Sequence, residues 1–334
     1  MIEYTNKTAL SFDDIMLVPQ HSEIDSRHNI DLKMIFGKKY KIGLHLPVFA
    51  APMDTVSEFR MALTLPEYGA VAVIHRYMSF EQQLRVAKKL MQNDISGVFA
   101  IGTTKEDYEQ ALRLMDYEPL ALVIDTANGH SKQALQAVED LRVLPAHLMA
   151  GNVSTWEGFK RLSDAGADSI RVGIGGGAAC TTRTVTGHGI PTLASIMEIA
   201  ERRTSKDAAI IADGGIRNSG DAVKAFAAGA DAVMLGSVLA GHDESPGLVK
   251  NGVMEFRGMA SEAAQIDRGR LSIVEGISTT VPYKGSVRKT ITDFANGIKS
   301  GCSYAGVSKL EDLKNEATYV RVSTLSNNET RKKV

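Results

Sequence analysis

A thiol and a hydroxyl stand two residues apart at the end of a glycine-rich turn, Gly173-Ile174-Gly175-Gly176-Gly177-Ala178-Ala179-Cys180-Thr181-Thr182-Arg183. The glycines let the backbone turn tightly and approach a bound group closely, because no Cβ intervenes. A cysteine on such a loop, with the Thr182 hydroxyl and the Arg183 cation beside it, has the makings of a nucleophile. The plainer reading is a small buried thiol next to an ordinary loop. Two further stretches favour the chemical reading. Ala212-Asp213-Gly214-Gly215 and Leu235-Gly236-Ser237 each close an apolar run with glycine, as turns that hold a phosphate on backbone N–H groups do. Asp213 cannot comfortably face a phosphate, but it can accept hydrogen bonds from ribose hydroxyls. The three stretches together suit a sugar phosphate or nucleotide with its far end towards Cys180.

These groups need a frame, and the hydrophobic pattern supplies one. Short apolar runs recur at Pro47–Ala51, Ala70–Ile74, Gly97–Ile101, Leu120–Asp125, His147–Gly151, Ser169–Gly173, Ala209–Ala212 and Ala232–Leu235. Between them, Phe80–Met91, Lys105–Leu114, Ser131–Leu141, Thr155–Ala165 and Ser219–Ala228 space their apolar residues near the helical period, several opening on a Ser, Thr or Asp cap. Continuous rather than alternating apolar strands imply burial on both faces, hence a parallel sheet covered by helices. Eight strand–helix units predict an α/β fold, a (β/α)8 TIM barrel, in which strand-to-helix loops emerge on one rim where ligands bind. The longest interval follows the sixth strand and carries Cys180. A second enlargement, a flap over about 241–284, follows the eighth, so both lie over one mouth. Residues 1–322 read as a single barrel domain, and 323–334 as a polar tail without apolar periodicity, expected to be disordered.

Composition narrows the function classes. The 334 residues are 44% hydrophobic and 23% charged, and Lys+Arg 38 against Asp+Glu 39 gives a formal net charge of −1. Such a balance offers no electrostatic argument for nucleic acid or a membrane. Neither a signal-peptide pattern nor an apolar run long enough to span a bilayer is visible. Two cysteines, Cys180 and Cys302, form no disulfide framework, and a reactive thiol suits a reducing compartment. A cytoplasmic location is the expectation.

Several segments in order carry a family resemblance: Leu10-Ser11-Phe12-Asp13-Asp14, Ala51-Pro52-Met53-Asp54-Thr55-Val56, Asp125-Thr126-Ala127-Asn128-Gly129-His130, Ala150-Gly151-Asn152-Val153, the Cys180 loop, Ala212-Asp213-Gly214-Gly215, Arg257-Gly258-Met259 and Val281-Pro282-Tyr283-Lys284-Gly285. Over essentially its whole length the chain resembles the IMP dehydrogenases and GMP reductases, whose fold is a (β/α)8 barrel. The resemblance implies that Cys180 attacks C2 of a purine nucleotide and that Thr182 and Glu275 move protons there. It implies a nucleotide subsite from Met53, Asp213, Gly214, Gly215, Gly236, Ser237, Gly258, Met259, Ala260 and Gly276. Within it Asp213 takes the ribose, Gly215, Gly236 and Ser237 the phosphate, and Met259 and Gly276 the base. A nicotinamide cofactor would meet Ser26, Arg27, Arg76, Asp125, Thr126, Ala127, Ile174, Gly175, Ser303 and Tyr304. Gly175, Gly177 and Cys180, with Arg183, would ring a monovalent cation such as K+. A homotetramer is implied, with the adenosine end of NADPH reaching a neighbouring subunit.

The two branches of the family share the covalent step and differ afterwards. The dehydrogenase oxidises IMP with NAD and hydrolyses the adduct, whereas the reductase expels ammonia from GMP and accepts hydride from NADPH. Family dehydrogenases carry an Arg-Tyr pair on the flap and usually an inserted regulatory pair of domains. This chain has neither, and Asn128, Thr186-Gly187, Leu239–Ser245 and Cys302-Ser303-Tyr304-Ala305-Gly306 are reductase-like. Ala51-Pro52-Met53 and Gly236-Ser237 look more like the dehydrogenase branch, so the resemblance on balance favours GMP reductase, with an IMP dehydrogenase lacking the regulatory domains as the alternative. A non-catalytic nucleotide binder leaves Cys180, Thr182 and Glu275 without purpose, and a flavin-phosphate barrel explains the glycines but not the cysteine. Gly176, Ala178, Thr192 and Ser272 depart from the family pattern. Loss of a hydroxyl at Ala178 would remove a phosphate contact, which leaves room for a modified or deoxy nucleotide.

Overall fold

The computed structural model describes residues 8–267, 269 and 273–323. Eight parallel strands close on themselves: β1 (Val48–Ala50), β2 (Val71–Ile74), β3 (Val98–Ile101), β4 (Ala121–Asp125), β5 (His147–Val153), β6 (Ser169–Val172), β7 (Ala209–Asp213) and β8 (Ala232–Leu235). Each pairs with its sequence neighbours, and β8 meets β1 through Val233 opposite Val48 to seal the ring. Side chains on both faces of these strands are buried, the inner set filling the barrel and the outer set lying under helices. That two-sided burial is why the strands read as uninterrupted apolar runs. All eight expected runs became strands.

The helices follow the same logic. Helices α1 (Phe59–Thr64), α2 (Phe80–Met91), α3 (Lys105–Leu114), α4 (Lys132–Leu141), α5 (Trp156–Ala165), α6 (Thr192–Arg202), α7 (Ser219–Ala227) and α8 (Val287–Tyr304) follow β1 to β8 in turn. Ser79 with Gln82 and Thr104 with Asp107 form capping boxes on α2 and α3, while Ser131, Thr155, Asn218 and Ser286 cap α4, α5, α7 and α8. Each such cap satisfies an orphan N–H and is worth about 1 kcal/mol.

Three small antiparallel pairs surround the barrel and were not legible beforehand. Met34–Phe36 pairs with Ile42–Leu44, and the carbonyl of Tyr40, in the turn between them, accepts from His147 Nδ1 of β5 at 2.6 Å. Ile15–Leu17 pairs with Tyr319–Arg321, joining the two ends of the described chain. Val253–Arg257 pairs with Ser278–Pro282, and this hairpin is the stem of the flap. Among the described residues, no helix is long and apolar enough to cross a membrane. Residues 324–334, most of the tail expected to be disordered, lie outside the described residues.

Candidate active site

The loops after β6 and β7 interlock because both are glycine where they meet. A Cβ at Gly173 would sit 1.9 Å from the Asp213 carbonyl oxygen, and one at Gly214 would reach the Gly176 and Gly177 backbone at 3.1 Å. Only glycine permits that approach, and both residues have positive φ. The result is a fixed ledge that ends in Cys180.

Cys180 is exposed, and its Sγ donates to Thr182 Oγ1 at 3.2 Å. Thr182 Oγ1 in turn donates to Glu275 Oε2 at 2.7 Å. The Glu275 end of this chain comes from the flap, far away in sequence. It is brought in by strand-like pairing: Thr181 N–H donates to the Glu275 carbonyl at 2.9 Å, and Ile277 N–H donates to the Ala179 carbonyl at 3.0 Å. On its other side Glu275 N–H donates to the Ala260 carbonyl at 3.1 Å. The flap thus lies against the nucleophile loop, and thiol, hydroxyl and carboxylate form one line along which a proton can pass.

These groups open onto a cavity of about 430 Å³. Its lining includes Met53, Asp213, Gly214, Gly215, Gly236, Ser237, Gly258, Met259 and Ala260 of the expected nucleotide set, and Arg76, Asp125, Thr126, Ala127, Ile174 and Gly175 of the expected cofactor set. Gly276 is not in the lining but pairs with Cys180 and Ser261. Ser26, Arg27, Ser303 and Tyr304 lie outside the lining, where the Arg27 guanidinium sits over the Tyr304 ring at 5.6 Å. Of the expected cation ligands, Gly177 O accepts from Cys180 N–H at 3.1 Å, while the Gly175 and Cys180 carbonyls take no backbone N–H among the described residues. Neutral carbonyl oxygens left open in this way fit a monovalent cation. Arg183 supports the loop instead through its side chain: its stem packs against Gly175, and its Nη2 donates to the Ile190 carbonyl at 2.9 Å.

Some polar cavity residues have no role in the sequence reading. Arg171, Asn152 and Tyr77 surround the two carboxylates at the ends of β4 and β7. Asn152 Nδ2 donates to Asp213 Oδ2 at 2.7 Å, Arg171 donates to both Asp125 and Asp213, and the Tyr77 hydroxyl lies 3.5 Å from Asp125 Oδ2. A signal was present, since Arg171 is the one charge within the apolar run of β6. Burial pushes the Asp125 carboxyl up, but the Arg171 and Arg76 charges outweigh it and hold it below the ordinary carboxylate value.

Two of the departures from the family pattern explain one another. A Cβ at Gly176 would lie 2.7 Å from Thr192 Oγ1, so glycine at one position makes room for threonine at the other. Ala178 is exposed and lines the cavity. Ser272 lies outside the described residues.

The model of the IMP dehydrogenase / GMP reductase domain matches residues 9–333. The chain belongs to the IMP dehydrogenase/GMP reductase family. Among its relatives, a protein named GMP reductase from Vibrio atlanticus (strain LGP32) is 37% identical over 334 residues, covering 96% of each chain. GMP reductase 2 of Bos taurus is 39% identical over 334 residues and 95% of each chain. A family structure, a cysteine-to-alanine variant of GMP reductase from Trypanosoma brucei in complex with guanosine 5'-monophosphate, superposes with a TM-score of 0.87 at 26% identity over 97% of each chain. The family fold expected from the motifs is therefore the fold found.

Proposed function

We propose that this chain is a GMP reductase, converting GMP and NADPH to IMP, ammonia and NADP+. The observation that carries the reading is the line Cys180–Thr182–Glu275, closed by the flap over a cavity whose other wall presents Asp213 and the glycine loops. Relatives named GMP reductase at 37–39% identity over nearly the whole chain support it. So does a flap that has no Arg-Tyr pair between Ser261 and Glu275, where an activated water would otherwise be made.

The chemistry runs as follows. Cys180, as thiolate, adds to C2 of GMP, and its proton passes through Thr182 to Glu275. The same carboxyl returns a proton through Thr182 to the exocyclic amine, which leaves as ammonia, so the purine stays bound to sulfur as a thioimidate. Bound NADPH supplies the hydride for C2, and expulsion of the Cys180 thiolate then gives IMP. Asp213 holds the ribose hydroxyls, and Gly215, Gly236 and Ser237 hold the phosphate on backbone N–H groups. Met53, Gly258, Met259, Ala260 and Gly276 flank the base. Asp125, Thr126, Ala127, Ile174 and Gly175 face the nicotinamide ribose. Ser26 and Arg27, beside Tyr304, favour NADPH by pairing its 2′-phosphate, and Arg76 meets the dinucleotide next to Asp125. The carbonyls of Gly175, Gly177 and Cys180 would hold a monovalent cation such as K+, which would keep the nucleophile loop in shape. Ser303 and Tyr304 serve the adenosine end at the boundary of a cytoplasmic homotetramer.

The test removes the nucleophile. Cys180→Ala should abolish turnover yet bind GMP with nearly unchanged affinity in a calorimetric titration, because phosphate and ribose contacts come from other loops. Near wild-type turnover in that variant would remove covalent catalysis from the account.

A further inference from the structure

Burying an arginine in the middle of a barrel strand is costly unless its donors are matched. Arg171 is 7% exposed and its partners are two carboxylates on two different strands. Its Nη1 donates to Asp125 Oδ1 at 2.5 Å, while its Nε and Nη2 donate to Asp213 Oδ2 at 3.0 and 2.9 Å. A guanidinium is planar, and its donors sit in a rigid fork. One inflexible group on β6 therefore joins the last residue of β4 to the last residue of β7. Each carboxylate keeps an oxygen for something else. Among the described residues, Asp213 Oδ1 accepts no hydrogen bond, and the partners of Asp125 Oδ2 are the Tyr77 hydroxyl and Arg76 Nε, both at a long 3.5 Å. Both residues line the same cavity.

Under the function proposed above, on which this inference rests, Asp213 meets the nucleotide ribose and Asp125 the nicotinamide ribose. The geometry points to Arg171 as a positioning residue that couples the two subsites. A ribose seated on Asp213 fixes that carboxylate, which fixes the fork, which fixes Asp125 for the second ribose. The first ligand bears the cost of ordering the shared group, and the second binds to a site already set, which is positive cooperativity. The number of its carboxylate partners matters less than where they stand. Arg171 has two, each on a different strand and each with an oxygen left for a ligand.

Titrating GMP with and without saturating NADP+, in a Cys180→Ala background so that no adduct forms, tests this directly. With Arg171 present, NADP+ should tighten GMP binding by about five- to a hundredfold. In Arg171→Lys, a single ammonium cannot serve both carboxylates, so GMP should still bind but NADP+ should no longer strengthen it. Asp125→Asn, which leaves Arg171 and Asp213 in place, should lose the strengthening in the same way, and it decides the matter if the lysine variant does not fold. A merely structural Arg171 would lower the melting temperature of Arg171→Lys and leave the strengthening intact. Retention of the ratio in either folded variant, or a ratio of one with Arg171 present, overturns the inference while GMP binding upholds the functional reading. Failure of GMP to bind with Arg171 present overturns that reading itself, and this inference with it.

Discussion

In the proposed reaction Thr182 stands between a thiol that must lose a proton and a carboxylate that must lend one, and its hydroxyl is able to do both. A hydroxyl donates and accepts at once, and the 3.2 and 2.7 Å contacts on its two sides use both capacities. The amine of GMP is a poor leaving group until it is protonated, so Glu275 matters most at ammonia release. Glu275→Gln should slow that step by about 10²–10⁴-fold, the usual cost of a lost acid–base group. Hydride transfer between reduced cofactor and the preformed adduct should suffer less, because no proton goes to nitrogen there. Rapid mixing of GMP with NADPH reports ammonia release, rapid mixing of IMP with NADP+ reports the hydride step alone, and equal slowing of both would show Glu275 acting on the whole site. Cys180 and Thr182 were legible in the sequence because glycines before a lone thiol are an unusual local pattern. Arg171 was not, since a strand is read by its apolar run and its one charge was passed over. The mutual fit of Gly176 and Thr192 was equally hidden, because the contact joins a loop to a helix and has no local signature.

At the scale of elements, the flap decides whether Glu275 reaches the loop at all. Arg257, at the end of the flap's first strand, grips Asp54 of the loop after β1 with Nε and Nη2, the latter at 2.8 Å. Its Nη1 donates to Asp267 at 2.6 Å, just beyond the short flap helix Glu262–Ile266. One cation thus ties the flap to the barrel mouth at both of its own sides. Arg257→Met should lower kcat by about 10–100-fold, the scale on which ångström misplacement of a catalytic group is felt. The melting temperature should stay close to that of the parent, since Arg257 touches the flap and the rim rather than the core. A variant with full kcat would show that the backbone pairing at Thr181 and Ile277 suffices to seat the flap. The barrel strands were legible because they are buried on both faces and hence continuously apolar. The flap hairpin was not, because Ser278–Pro282 is largely exposed and has no apolar face to betray it. The five-residue helix Thr182–Thr186 after the nucleophile is likewise too short to show a period.

At the scale of the whole molecule, one closed sheet sets every distance in the site. Asp125 and Asp213 end β4 and β7, Arg171 lies within β6, and the nucleophile loop and flap follow β6 and β8, all towards the rim where barrels bind ligands. The ends of the described chain are tied together by the Ile15–Leu17 and Tyr319–Arg321 pair, away from the cavity lining. Under the proposed function, this arrangement leaves the mouth to two ligands placed end to end, a nucleotide over the glycine loops and a dinucleotide reaching in past Asp125. Under the proposed function these ligands are GMP and NADPH, and the amine departs. The decisive measurement is the stoichiometry of a single reaction: protein, GMP and NADPH, with loss of the reduced-nicotinamide absorbance, IMP and ammonia all followed. One IMP and one ammonia should form for each NADPH consumed, whereas reduction of NAD by IMP with no ammonia from GMP would contradict the account outright.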